Sequence, residues 1–336
     1  MIRLELRKVL ATPAIWTVVL GSLLLNALII FIPTDPTWPG DPPETENVFE
    51  RFDAQFIADM YIAQNNLSES AAENVRTLYG RVQPVVDESA KHADALSPYL
   101  GFLTGWVHRQ VFGLIMPIAV GEASLLALTM SLMCMGHEVA HDTEKVLIPT
   151  VTGRALWRVK ALASATSGLA LGCLVMGTTV GFVLVHWDFS QAWDSFVSSS
   201  FNHGVGGKLF ITWDRLTVAT YLLEYLAVGL GVVGCFILLG IVMATFVRNP
   251  WAAIVTTVVT IILLGVGPRL LPQASVARAI GESSPLGLLL SSPQWLTDGD
   301  VNAIWPHFET WGVLGSVLIL VVLTLVAGCR YAKAEL

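Results

Sequence analysis

Six stretches of this 336-residue chain are apolar and almost free of charge: 14–32, 111–135, 161–185, about 217–247, 251–267 and 311–329. Apolar windows of roughly 18 residues or more read as membrane-spanning helices. At 1.5 Å per residue the first covers roughly 28 Å, close to the ~30 Å hydrocarbon core. Composition agrees: 54% of the residues are hydrophobic and 13% charged, where soluble domains carry about 25% charged residues. The expected fold class is an all-α membrane protein with six transmembrane helices. The fifth stretch is short and ends at Gly265, Gly267 and Pro268. It is predicted to continue over 268–310 as a broken or re-entrant element on the outer side, which is tolerated where protein covers it.

Orientation follows from Lys and Arg. With the N-terminus inside, the short segments 1–13, 136–160, 248–250 and 330–336 hold ten of the nineteen basic residues, among them Arg3, Arg7, Lys8, Arg154 and Lys160. The much longer segments 33–109, 187–215 and 266–311 hold nine. That is a positive-inside bias, and it predicts cytoplasmic termini and a multi-pass location in a plasma membrane. The acidic excess, a net charge of −7, then belongs to the outer segments, and no basic-aromatic patch of the nucleic-acid kind is present. Cys134, Cys173, Cys235 and Cys329 have no Cys-x-x-Cys spacing, so neither a zinc ribbon nor a disulfide framework is indicated. The first apolar stretch has no small-residue cleavage site after it and reads as a retained span.

Residues 1–13 form a short basic amphipathic segment: Ile2, Leu6, Val9 and Leu10 share a helical face and Arg3, Arg7 and Lys8 occupy the others. Such a helix is expected along the inner membrane surface. The outer loop 33–109 opens with a Pro-rich run, Pro33 to Pro43, that excludes helix. Phe49, Phe52, Phe56 and Met60 then predict a helix with an aromatic stripe. Val75, Leu78, Tyr79 and Val82 predict a second, giving a small helical lid. Trp187, Trp193, Trp213, Trp295, Trp305 and Trp311 flank outer segments, where interface anchoring accounts for them. Ser164, Gly168, Gly172, Gly177 and Gly181 step through the third span at spacings that permit close helix approach.

Two carboxylates fall within apolar stretches. Glu122 is mid-span, where a charge is costly unless paired, neutral or facing water. It is a candidate pathway or subunit-interface residue, a buried structural hydrogen bond being the alternative. Glu224 stands nearer the outer rim and is a second candidate, although residues 225–247 alone are long enough to span.

His137-Glu138-Val139-Ala140-His141 matches H-E-x-x-H, whose imidazoles share one helix face and can hold zinc beside a glutamate base. A catalytic zinc also needs a third protein ligand. Glu144, adjacent in sequence, and Glu224 are the candidates, but the topology puts Glu224 near the outer face while His141 is at the inner one.

The same segment resembles the first cytoplasmic loop of the type-2 permeases of bacterial ABC exporters, in which Glu-x4-Thr is followed by Arg and then Lys. Glu138, Thr143, Arg154 and Lys160 stand at those positions. Asp142 replaces a frequent Gly and Val151 a frequent Pro, with Pro149 displaced by two. The opening Leu4-Glu5-Leu6-Arg7-Lys8, the six spans and the broken element after the fifth are similar to the same family. The resemblance implies one permease domain over 1–336 whose loop 136–160 couples to a separate ATPase. Glu138, Asp142, Thr143, Arg154 and Lys160 would be its coupling residues. A second permease, identical or homologous, would complete the pathway, and the substrate would be an antibiotic, peptide or lipid-like amphiphile. ATP and Mg would bind in the partner, consistent with the absence of G-x-x-x-x-G-K-[ST] here. Such a subunit has no catalytic residue or cofactor of its own. Two other classes compete: a zinc-dependent membrane protease using His137 and His141, and a membrane anchor or sensor whose lid binds a ligand.

Overall fold

The computed structural model describes residues 2–32, 46–96, 105–140, 143, 151–202, 209–247, 249–299 and 303–333. Among them there is no strand, only the isolated bridges Phe196 to Thr217 and Thr212 to Thr297. The helices are α1 (Ile2–Leu10), α2 (Pro13–Phe31), α3 (Ala54–Asn65), α4 (Glu69–Lys91), α5 (Gly105–Gln110), α6 (Met116–Ala140), α7 (Val151–His186), α8 (Val197–Asn202), α9 (Val218–Phe246), α10 (Pro250–Val266), α11 (Val276–Glu282), α12 (Pro285–Leu290) and α13 (Phe308–Lys333). Six are long and apolar enough to cross a membrane, with α5 and α6 counting as one helix joined through a π-turn at Val111–Ile115. The chain is thus a helical protein of multi-pass membrane character.

Local chemistry sets the helix starts. Pro13 and Pro250 occupy first-turn positions where a missing N–H costs nothing. Asn249 Oδ1 accepts from the N–H groups of Trp251 and Ala252 at 3.0 and 3.1 Å, capping α10. Asp53 caps α3 in the same way, and Ser275 and Ser284 cap α11 and α12.

The second, third and fourth spans form the centre of the bundle, with small residues at their contacts. A Cβ added to Gly168 would lie 2.9 Å from Ile237, and one on Gly240 would lie 2.7 Å from Ser131 Cβ. Of the small stripe in α7, Ser164 is buried and Gly168 and Gly172 pack within the chain, while Gly177 and Gly181 face open space. The first, fifth and sixth spans are the least buried.

The segments that the alternation of spans puts on one side do meet at one end. Gly136 packs on Pro250, Trp157 Nε1 donates to Thr245 Oγ1 at 3.0 Å, and Gly328 lies against the Trp157 ring. The lid, α3 and α4, is at the other end. Asn74 Nδ2 donates to Ala274 O at 2.8 Å, and Arg215 donates twice to Asp94, at 2.8 and 2.7 Å. Those bonds raise the Arg215 pKa above its ordinary value. Phe49, Leu78, Val82 and Val86 share an apolar cluster with Ile211 and Trp213.

Several expectations change. The loop 136–160 is mostly helix, because α6 runs to Ala140 and α7 begins at Val151. Hydropathy reports the hydrocarbon thickness, whereas a helix already nucleated continues past it through polar residues. Residues 106–109 likewise belong to the second span rather than to the loop before it. The aromatic stripe is not one face: Phe49 is buried in a 3-10 turn, whereas Phe56 is 65% exposed. Ala54 and Ala58 make the α3 contact instead, since small residues let it lie close to α4. The second pattern holds, with Val75, Leu78, Tyr79 and Val82 all buried. Trp295 and Trp213 are buried packing residues rather than anchors, while Trp311 is exposed as an anchor would be. The Pro33–Pro43 run lies outside the described residues.

After the fifth span the chain continues as short helices. A 3-10 turn, Gly267–Leu270, leads to α11 and α12, and α12 packs against α6, α9, α10 and α13. Tyr221 donates to Trp295 O at 3.2 Å and Trp295 Nε1 to Leu288 O at 3.1 Å, fastening this element to the fourth span.

Single cysteines placed at Arg81 in the lid and at Thr143 in an otherwise cysteine-free chain are expected to react with an impermeant thiol reagent from opposite faces of a sealed membrane. Labelling of both from one face would break the two-ended arrangement.

Candidate functional site

The segment that carries the H-E-x-x-H and Glu-x4-Thr patterns ends the second span, and its charges turn inward. Glu138 is only 5% exposed. One oxygen of its carboxylate lies against the Lys160 ammonium, from the start of the third span, and the other is 3.2 Å from Lys8 Nζ. Lys8 also bonds Glu5 Oε1 at 2.7 Å. Lys160 is itself buried and donates to the carbonyls of Cys134 and Met135 at 3.1 and 3.4 Å, near the end of α6. These carbonyls sit toward the negative end of the helix dipole, where an ammonium is favoured.

The Glu-x4-Thr spacing has a local consequence. Thr143 N–H donates to Glu138 O at 3.0 Å, with Thr143 Oγ1 3.4 Å from the same atom. Glu138 therefore ends its helix with its backbone and joins two other helices with its side chain. Three of the five expected coupling residues, Glu138, Thr143 and Lys160, meet at this joint. Asp142 lies outside the described residues, and Arg154 is in α7 with its side chain outside them.

Helix α1 enters the joint with the apolar face that its periodicity marks, and the burial of Glu5 is what that periodicity did not anticipate. Ile2, Leu6 and Leu10 pack against the protein core, chiefly along α7, and Glu5 is buried between them and Lys8. Leu4 is left on the exposed side. Glu5 was missed because a single acidic residue in a basic amphipathic pattern carries no periodic signal. Trp157, the hydrogen-bonded link to the fourth span, was missed as well, since no motif includes it.

A second polar cluster lies mid-bundle. Asn26 of α2 is buried, and its Nδ2 is 2.8 Å from Glu122 Oε2 and 2.9 Å from Thr179 Oγ1. Thr179 in turn donates to Val175 O at 2.8 Å. Glu122 is half-buried, with one side on this cluster. Glu224 is exposed in the second turn of α9 and makes no hydrogen bond or ion pair with Glu122. The structure does not bring the two intramembrane carboxylates together.

For zinc hydrolysis Glu138 would be the base, and it is engaged by two ammonium groups. His137 Nδ1 is 3.9 Å from Glu138 Oε1, and His141 lies outside the described residues. Glu224 stands at the opposite end of the bundle, near Asp214 and His307. Among the described residues no three His, Cys, Asp or Glu side chains are grouped to hold a metal.

The π-turn at Val111–Ile115 was also not legible in the sequence. There Phe112 meets Tyr221 edge-on at 4.8 Å and Tyr225 at 5.8 Å, and Tyr225 lies tilted against Trp295 at 4.9 Å. This aromatic packing closes the lid end of the bundle.

No family model, curated protein or solved structure matches this chain.

Removing one member of a buried ion pair strands the other and costs about 3–5 kcal/mol, whereas replacing both with apolar residues is often close to neutral. Glu138→Leu is therefore expected to lower the thermal unfolding midpoint in detergent sharply. Glu138→Leu combined with Lys160→Met should recover a large part of the loss. Additive losses in the double variant would mean that the two groups do not act as a pair.

Proposed function

We propose that this chain is the membrane-spanning permease subunit of an ABC exporter, working with a second permease around a shared pathway and driven by a separate ATPase subunit. The observation that carries this reading is the joint of Glu138, Thr143 and Lys160 with Lys8 and Glu5, at the bundle end where the termini and the basic segments meet. The resemblance to the type-2 permeases rests on the same residues.

The physical logic is mechanical. ATP and Mg bind in the partner, and closure of its two halves presses on the elbow between α6 and α7. A connector free to bend would absorb that displacement. Here the end of the second span is tied to the start of the third by Lys160, and α1 is tied to both through Lys8. Trp157 carries the contact onward to Thr245 and Gly328 in the fourth and sixth spans. A push on the elbow then tilts several helices together, the kind of rigid-element movement that switching proteins use. In this scheme Glu138 and Lys160 brace the elbow, and Arg154 is the residue that the family pattern assigns to the partner. Glu122, with one side on Asn26, leaves its other side for the pathway or the second subunit. The positive-inside bias supports a cytoplasmic position for this end, and the proposed exporter would sit in a bacterial plasma membrane.

Arg154→Glu is expected to abolish substrate-stimulated ATP hydrolysis by the assembled complex while the chain still inserts at parental levels. Truncating a desolvated partner-facing charge costs about 2–5 kcal/mol, against under about 1 for an exposed pair. Parental assembly and stimulated hydrolysis in Arg154→Glu would remove the coupling role. At the mid-bundle site, Glu122→Gln should retain more transport than Glu122→Leu, because Gln keeps a hydrogen bond to Asn26. Equal, parental transport by both variants would leave the carboxylate without a role.

A further inference from the structure

A cavity of about 380 Å³ opens beside the end of the fifth span, in a part of the molecule that the coupling scheme does not use. Leu264 comes from the last turn of α10, Arg269 from the following 3-10 turn, and Arg278 and Glu282 from α11. Gln294 and Trp305 close the remaining sides. The volume is within the range of small-ligand sites, about 300–1,000 Å³.

Its electrostatics are unbalanced. Arg278 donates to Glu282 Oε1 at 2.7 Å, so this pair neutralises itself. Arg269 lines the same space, is exposed, and makes no hydrogen bond or ion pair among the described residues. A planar guanidinium with free donors suits a phosphate or carboxylate, which it can bind in a bidentate fashion. The indole N–H of Trp305 is buried and likewise has no acceptor among the described residues.

The surface next to the cavity is unlike that around a site for a soluble anion. Leu263 and Val266 on α10, Leu270 on the 3-10 turn, and Val276 and Ile280 on α11 are all exposed. They continue the apolar face of the fifth span past its end and onto the short helix beside the cavity. Apolar surface of this kind is stable against acyl chains, and an arginine at the end of a span sits at head-group level.

We propose that this cavity is a binding site for an anionic phospholipid-like amphiphile, its phosphate held by Arg269 and its chains lying along the exposed face of the fifth span and α11. The site is independent of the transport reading, since a transporter, an anchor or a sensor would hold the same lipid there.

The test uses the full chain, purified in a non-ionic detergent and stripped of lipid. Native mass spectrometry then follows its titration with dioctanoyl phosphatidylglycerol, dioctanoyl phosphatidylcholine and inorganic phosphate. Phosphatidylglycerol is expected to bind at one site about tenfold more tightly than phosphatidylcholine, whose choline cation offsets its phosphate and is repelled by the guanidinium. Arg269→Gln should erase that preference, and Arg269→Lys should keep part of it. Arg81→Gln, which removes an exposed lid arginine, should leave it unchanged. A monodisperse elution profile for each variant excludes misfolding as the cause, and the comparison of ligands on the parent chain needs no variant. Equal phosphatidylglycerol binding by the parent and Arg269→Gln would overturn the proposal. Inorganic phosphate competing as strongly as the lipid would reduce the site to a simple anion pocket and overturn it too. Conversion to a dimer that retains no lipid at any concentration would assign this face to a second copy of the chain, and the lipid site would likewise be refuted.

Discussion

A helix in hydrocarbon gains little by burying leucine against another helix, because the lipid it leaves is just as apolar. Close packing and polar contacts must hold such a bundle together. The centre of this one uses the first means, with Gly168, Gly172 and Gly240 letting the second, third and fourth spans approach closely. The first span depends on the second. Most of its apolar surface is exposed, and it is attached at two levels. Asn26 reaches Glu122 and Thr179 in mid-bundle, and the adjoining helix α1 reaches Glu138 through Lys8. Both attachments use groups that are expensive to leave unpaired, so each specifies where the span can sit.

That constraint also explains how far the sequence could be read. The six spans were legible because bilayer thickness imposes a length on apolar windows that no local propensity disturbs. The break after the fifth span was legible from Gly265, Gly267 and Pro268, where α10 gives way to a 3-10 turn and short helices. Helix ends were not, because Gly136 to Ala140 and Val151 to Lys160 remain helical beyond the apolar windows. The aromatic positions misled for a related reason. Phe56 and Trp295 have similar sequence surroundings, yet one faces outward and the other is fully buried. Only tertiary packing separates them.

The candidate site was legible in part. Glu138, Thr143 and Lys160 carried a spacing signal, and the structure joins them. The spacing did not reveal that Glu138 points into its own chain. Lys8, which joins it to α1, lies 130 residues away, a separation that no local motif can encode. Asn26 was invisible for the same reason: one amide in an apolar span has no meaning until Glu122 and Thr179 are seen beside it.

The lid has an implication for biosynthesis. Its two helices are made early, between the first and second spans, but its anchors come much later. Arg215 follows Asp94 by 121 residues, and Ala274 follows Asn74 by 200. At about 5–20 residues per second, the second anchor emerges roughly 10–40 s after its partner. Through that interval the lid hairpin has only its own small apolar clusters to hold it. It locks once the fifth span has been made and the chain has turned back beyond it. The docked lid is therefore a timestamp, marking a chain whose first five spans are complete.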